Sequence, residues 1–123
     1  MFSHVMIGSN DLGRSKTFYD ALFQKEGRQD DKGRLSYARK TGVFMVTKPI
    51  DGEAATFGNG STIGFGFESP EEVDAWHQRG IAAGGTAIED APGIRSNAFG
   101  SLYLAYLRDP DGNKICALHR VAQ

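Results

Sequence analysis

The sequence contains one cysteine, Cys116, among its 123 residues. A single thiol excludes an internal disulfide and a four-cysteine zinc site, and it is typical of a protein in a reducing compartment. Neither sign of charge dominates, because 14 Lys and Arg stand against 15 Asp and Glu. The net charge of −1 gives no electrostatic reason to expect nucleic acid or an anionic membrane as a partner, so we expect a small molecule or a protein.

Long apolar stretches are also missing. No run approaches the roughly 20 residues of a membrane span, and the opening MFSHVMIGSND turns polar too early for a secretory signal. We therefore expect a cytoplasmic protein. Hydrophobic residues make up 40% of the chain, which is enough for one core but not for two, so residues 1–123 are expected to form a single domain.

Two stretches share one pattern: an alternating strand, a capped amphipathic helix, a glycine stop and further strands. They read HVMIGSNDLGRSKTFYDALFQKEG and TIGFGFESPEEVDAWHQRGIAAGG. Strand-like runs follow each helix, at 35–40 and 42–48 in the first half and at 86–89, 102–107 and 114–119 in the second. We predict an α+β fold of two tandem βαβββ units, at about 1–52 and about 62–123 with a crossover at about 53–61, in which the first unit lacks one recognisable strand.

The alternation predicts that each sheet has one face covered by its helix and one open face. The residues that need burial under the helices are Val5, Ile7, Ile63, Phe65 and Phe67. The residues expected on the open faces are His4, Met6, Thr62, Gly64 and Gly66. Small residues leave volume unfilled, so the second open face is expected to form a ligand cavity. The alternative is an ordinary strand that tolerates glycine.

The opening HVMIGSNDLGRSKTFYDALF and the closing YLRDPDGNKICAL resemble the vicinal oxygen chelate superfamily, which includes glyoxalases, bleomycin-resistance proteins and extradiol dioxygenases. The closing segment is similar to the DPDGN signature of that family and has Cys116 where a carboxylate usually stands. The resemblance covers nearly the whole chain. It implies a cleft between βαβββ units, commonly in a homodimer.

In metal-dependent members of that family, four strand residues bind one divalent ion. The resemblance places these positions at His4, near Met45, at Thr62 and at Cys116. A thioether and a hydroxyl supply neither the charge nor the ligand strength that such an ion requires. Neither Met45 nor Cys116 can replace the carboxylate base of glyoxalase I chemistry. We therefore expect no cofactor, although a divalent metal is the alternative.

Three interpretations of His4 and Cys116 stay open. The pair could bind a soft ion such as Zn²⁺, with water completing the shell. Cys116 could be a thiolate nucleophile activated by His4, which requires close contact and a depressed thiol pKa. The third interpretation makes Cys116 a small buried apolar residue and His4 a hydrogen-bonded cleft residue.

Other side chains are candidates to line the cavity. Lys48 ends a strand before a turn and could present its ammonium group to an anionic ligand. Arg95 is expected in a loop of about a dozen residues between two strands, where binding groups are common. Tyr103 and Phe99 would supply an aromatic wall nearby.

Two further histidines are expected to lie outside the site. His77 follows Trp76 on the second helix and is predicted to be a surface residue. Strand alternation places His119 on the opposite face from Cys116.

Two functions follow from these observations. The first is a protein of the bleomycin-resistance type, a homodimer that binds a small molecule in its cleft without the usual catalytic metal. The alternative is a metal-dependent lyase or dioxygenase that acts on a small carbonyl or thiol-containing substrate, with His4 and Cys116 as its catalytic residues.

Overall fold

The computed structural model describes residues 1–98 and 100–121, so Phe99 lies outside the described residues. The first half contains β1 (His4–Gly8), α1 (Leu12–Phe23), β2 (Arg28–Gln29), β3 (Leu35–Arg39) and β4 (Gly42–Thr47). The second half contains β5 (Ile63–Gly66), α2 (Pro70–Ala82), β6 (Thr86–Asn97), β7 (Gly100–Arg108) and β8 (Lys114–Arg120). The strand orders are β1-β4-β3-β2 and β5-β8-β7-β6, which confirms the tandem βαβββ fold.

The strand of the first unit that could not be recognised from the sequence is β2, whose two residues pair antiparallel with β3. Both residues of β2 are exposed, so the strand carries no apolar alternation that the sequence could reveal.

Strand β6 extends eight residues beyond the predicted end at Glu89. Pairing with β7 is interrupted between Ile88 and Gly93 and then resumes to Asn97. Glu89 has a φ of 59°, a left-handed backbone conformation that a regular strand cannot contain. The interruption is therefore a β-bulge, and Arg95 lies in a strand where the sequence predicted a loop.

One core joins the two halves. Phe18, Tyr19 and Leu22 of α1 and Trp76 of α2 are fully buried in it. His77 was predicted on the surface, but it is 8% exposed and hydrogen-bonds to the backbone of Tyr106. The prediction failed because α2 packs across β6, β7 and β8, so its buried stripe is wider than its apolar residues indicate. Burial lowers the pKa of His77.

The DPDGN turn, residues 109–113, ties the second half to the first. The Asp109 carboxylate accepts hydrogen bonds from the Tyr19 hydroxyl at 2.6 Å and from Asn113 Nδ2 at 2.9 Å. Asn113 Nδ2 also donates to the carbonyl oxygen of Gly8, and Arg14 forms an ion pair with Asp111. The motif therefore has a structural role, because it fixes the ends of β1 and α1 against the β7–β8 hairpin.

No helix in the described part of the chain is long and apolar enough to cross a membrane.

Candidate functional site

The two faces of the first sheet differ as predicted. Val5 and Ile7 of β1 pair with Phe44 and Val46 of β4, and these four side chains face α1 and the core. The residues between them occupy the opposite, open face. These are His4 and Met6 of β1 with their partners Val43 and Met45 of β4.

The open face of the second sheet carries an apolar floor. Leu102, Leu104 and Cys116 form a buried cluster, against which Tyr106 and Leu118 pack. This cluster lies on the face opposite α2, because Tyr106 pairs with Cys116 and Leu104 with Leu118 across the β7–β8 hairpin.

The two glycines of β5 lie beside this floor. Gly64 pairs with Cys116 and Gly66 with Leu118. A Cβ atom at Gly64 would lie 3.2 Å from the Cys116 sulfur, whereas a Cβ atom at Gly66 would meet no heavy atom within 4 Å. A side chain at Gly66 would therefore enter open space beside Leu118, whereas one at Gly64 would contact Cys116.

Tyr103, predicted to line the cavity, lies on the other face of β7. Its hydroxyl donates to Asp74 of α2 at 2.8 Å, and its side chain packs against the main core. Cys116 pairs with Tyr106, so the open face takes the even-numbered residues of β7. The tyrosine beside Cys116 is therefore Tyr106, which the sequence reasoning missed.

Arg95 lies on the open face with its pairing partner Leu102, but its guanidinium is occupied by the protein itself. Nη1 donates to the carbonyl oxygens of Ala91, Gly93 and Leu104 at 2.9–3.1 Å. Nη2 donates to the carbonyl oxygen of Asp90 at 2.9 Å. These bonds satisfy carbonyl groups that the β6 bulge releases from strand pairing, so Arg95 holds the bulge in place.

His4 and Cys116 lie on different sheets. His4 is exposed, and its Nδ1 atom forms a 2.8 Å hydrogen bond with the Ser3 hydroxyl. Cys116 is 6% exposed, and among the described contacts no hydrogen bond joins it to His4. Burial raises the pKa of Cys116 to about 11, against the opposing effect of Lys114, so the thiol is protonated at neutral pH. This chemistry does not favour a thiolate nucleophile.

A cavity of about 210 Å³ lies between the two sheets, and His4 and Gly64 both line it. A groove of about 880 Å³ continues from Gly64 and Gly66 along the free edge of β5, between the end of α1 and the start of α2. Thr62 lies immediately before β5 and Lys48 immediately after β4, and both are exposed.

The residues at the four positions matched to the family's metal ligands do not fit a hard divalent ion. They offer one imidazole, a thioether, a hydroxyl and a protonated thiol. Within residues 1–98 and 100–121, no group of three or more His, Cys, Asp and Glu side chains lies close enough to hold a metal. Metal chemistry at His4, Met45, Thr62 and Cys116 would therefore need ligands from outside this set.

Tyr106, Lys114 and Glu89 form a cluster that the sequence reasoning did not identify. The Lys114 ammonium lies 4.9 Å from the centroid of the Tyr106 ring and forms an ion pair with Glu89 in the bulge. Burial raises the pKa of Tyr106. The DPDGN turn could have revealed the first two residues, because a turn fixes which residues of a hairpin are paired.

Residues 1–117 match the family model of the Glyoxalase/Bleomycin resistance protein/Dioxygenase superfamily. A crystal structure of a glyoxalase/bleomycin resistance protein from Albidiferax ferrireducens T118 is 58% identical, with a TM-score of 0.94 over 98% of this chain and 99% of that one.

More distant structures share the fold. A glyoxalase-related enzyme from Fulvimarina pelagi is 20% identical, with a TM-score of 0.77 over 98% of this chain and 88% of that one. A lactoylglutathione lyase from Agrobacterium tumefaciens is 19% identical, with a TM-score of 0.70 over 97% of this chain and 92% of that one. On the family match and the similarity to the Albidiferax protein, this chain belongs to the glyoxalase/bleomycin resistance/dioxygenase superfamily.

Proposed function

We propose that this protein binds a small molecule on the open face of its second sheet, without the divalent metal of its catalytic relatives. The observation that carries the proposal is the open space at Gly66, whose strand partner Leu118 packs against the apolar floor. A concave apolar surface with a few polar groups at its edge is the usual form of a small-molecule site.

The chemistry of the neighbouring groups supports binding over catalysis. His4 and Cys116 are not joined by a described hydrogen bond, and the raised pKa of Cys116 keeps its thiol protonated. Neither Met45 nor Cys116 can act as a carboxylate base. The metal-dependent lyase or dioxygenase reaction therefore has neither its usual ion-binding groups nor its base among these residues.

A neutral fluorescent probe tests this proposal. N-phenyl-1-naphthylamine gains fluorescence in apolar sites, and we expect saturable binding at one site per chain that EDTA treatment does not change. Gly66→Leu should abolish this binding, because the leucine fills the open volume, while the melting temperature stays close to that of the native protein. Elemental analysis of the purified protein is expected to show far less than one metal ion per chain.

Two results would contradict the proposal. One is binding that is unchanged in a folded Gly66→Leu protein, which would place the site elsewhere. The other is about one nickel, zinc, iron or manganese ion per chain that survives the chelator and is lost in His4→Ala, which would favour the metal-dependent enzyme.

We also infer a homodimer. The described strands leave β1 and β5 each with one unpaired edge, and Phe2, Met6 and Ile94 expose 74%, 41% and 62% of their surface. Unpaired edges and exposed apolar side chains are commonly covered by a second subunit. Sedimentation equilibrium should give twice the chain mass of 13.3 kDa, and a monomer at micromolar concentration would contradict this inference.

A further inference from the structure

We propose that the ligand of the second open face is an anion: a small molecule with an apolar body and a negatively charged oxygen group. This inference rests on the proposed function, because it specifies the chemistry of the same site.

The charge of this face is the first argument. Four cationic side chains lie on it by strand register. Arg95 and Arg120 both pair with Leu102, one from each neighbouring strand. Arg108 and Lys114 pair with each other. Glu89 neutralises Lys114 through their ion pair. The whole chain has a net charge of −1, so this positive face is a local feature and not a consequence of composition.

Three of these cations are fixed in position by other contacts. Arg95 is held by backbone carbonyl groups of the bulge. Arg108 donates to the carbonyl oxygen of Gly112 at 2.7 Å and lies 4.9 Å from the centroid of the Phe57 ring. Lys114 lies over the Tyr106 ring. Arg95 and Arg108 are held by carbonyl groups and not by a described carboxylate, so they give a preorganised positive field, because little side-chain entropy is lost when an anion binds.

The Tyr106 hydroxyl is the second argument. No hydrogen-bond partner is described for it, although the hydroxyl of Tyr103 on the same strand is bonded to Asp74. Burial raises the pKa of Tyr106, so the phenol stays protonated and can donate at neutral pH. Glu89 and Lys114 offset each other beside Tyr106, so the Arg95 guanidinium on the same face is the cation that would favour an acceptor carrying negative charge.

The apolar floor indicates the chemistry of the uncharged part of the ligand. Leu118, which packs on the buried Leu102 and Leu104, offers hydrocarbon at the surface, and Gly66 leaves room beside Leu118 for an apolar body. A strongly hydrated inorganic anion would leave this hydrocarbon without a partner. The combined surface therefore fits an amphipathic organic anion, with its charged group near Tyr106.

Two probes that differ only in charge test the inference. The probe 8-anilinonaphthalene-1-sulfonate has the aromatic body of N-phenyl-1-naphthylamine and one added sulfonate. We expect it to bind about tenfold or more tightly than the neutral probe, since hydrogen bonds to charged groups are the stronger ones. Added salt should weaken the binding of the sulfonate but not that of the neutral probe.

Tyr106→Phe removes only the hydroxyl and should weaken sulfonate binding about tenfold. Tyr103→Phe is the matched control, because it removes a hydroxyl from the helix-covered face of the same strand, and it should leave binding unchanged. Circular dichroism must show native structure in each variant, since the sulfonate probe also binds partly unfolded protein. If Gly66→Leu does not fold, Leu118→Trp fills the same volume from β8.

The outcomes separate the two proposals. Equal affinity for both probes, at a site that Gly66→Leu or Leu118→Trp removes, would overturn the preference for an anion and leave the small-molecule site intact. Equal sulfonate affinity in native protein and Tyr106→Phe would also overturn it. If neither probe binds at a site that these filling variants remove, the proposed function itself is wrong.

Discussion

Asp109→Ala is expected to lower the free energy of unfolding by about 3–5 kcal/mol, because it leaves several buried hydrogen-bond donors without an acceptor. Asp109 is 4% exposed, and its carboxylate accepts from Tyr19, from Asn113 Nδ2 and from the backbone amides of Asp111 and Asn113. Alanine would leave the Tyr19 hydroxyl and the two Asn113 donors buried without this acceptor, and each unsatisfied donor costs about 1–3 kcal/mol.

Asp30→Ala is the matched control for this measurement. Asp30 also accepts from two backbone amides, those of Lys32 and Arg34, and pairs with the Arg34 guanidinium, but it lies in an exposed turn. Water can replace its bonds, so the expected loss is about 1 kcal/mol or less. Urea denaturation measures both variants. Similar losses for the two would show that the DPDGN turn does not hold the halves together.

Local signals were sufficient to predict most of the fold. Ser69 accepts from the Glu72 amide at 3.2 Å, and Pro70 begins α2, as the capping pattern predicts. The alternation at β1 and β5 places Val5 and Phe65 towards the core and Gly64 on the open face. Such signals depend on neighbouring residues, so one sequence is enough to reveal them.

The unpredicted features depend on contacts between distant residues. The bulge in β6 is held by Arg95, which bonds to the carbonyl of Leu104 in the next strand, and no local pattern reports that bond. The relation of His4 to Cys116 depends on how two separate sheets are placed. The position of Tyr106, in contrast, follows from a local signal. The DPDGN turn pairs Arg108 with Lys114, and two residues further along each strand Tyr106 pairs with Cys116. That register depends only on residues adjoining the turn.

Gly85→Ala is expected to lower the free energy of unfolding by about 2–3 kcal/mol, near the upper end of the cost of overpacking. A Cβ atom there would lie 2.9 Å from the carbonyl oxygen of Gly80, 3.2 Å from that of Arg108 and 2.8 Å from the Phe18 ring. Two of these neighbours are backbone atoms, which cannot rotate away, and the Gly85 amide already donates to Gly80 at the end of α2.

Gly66→Ala is the control, because its Cβ atom would meet no heavy atom within 4 Å, and it should change stability by less than about 0.5 kcal/mol. Chemical denaturation of both variants should show the difference at an unchanged m-value. Equal stability of the two would mean that β6 moves away from α2 at little cost, and that the junction at Gly85 does not fix the second sheet against its helix.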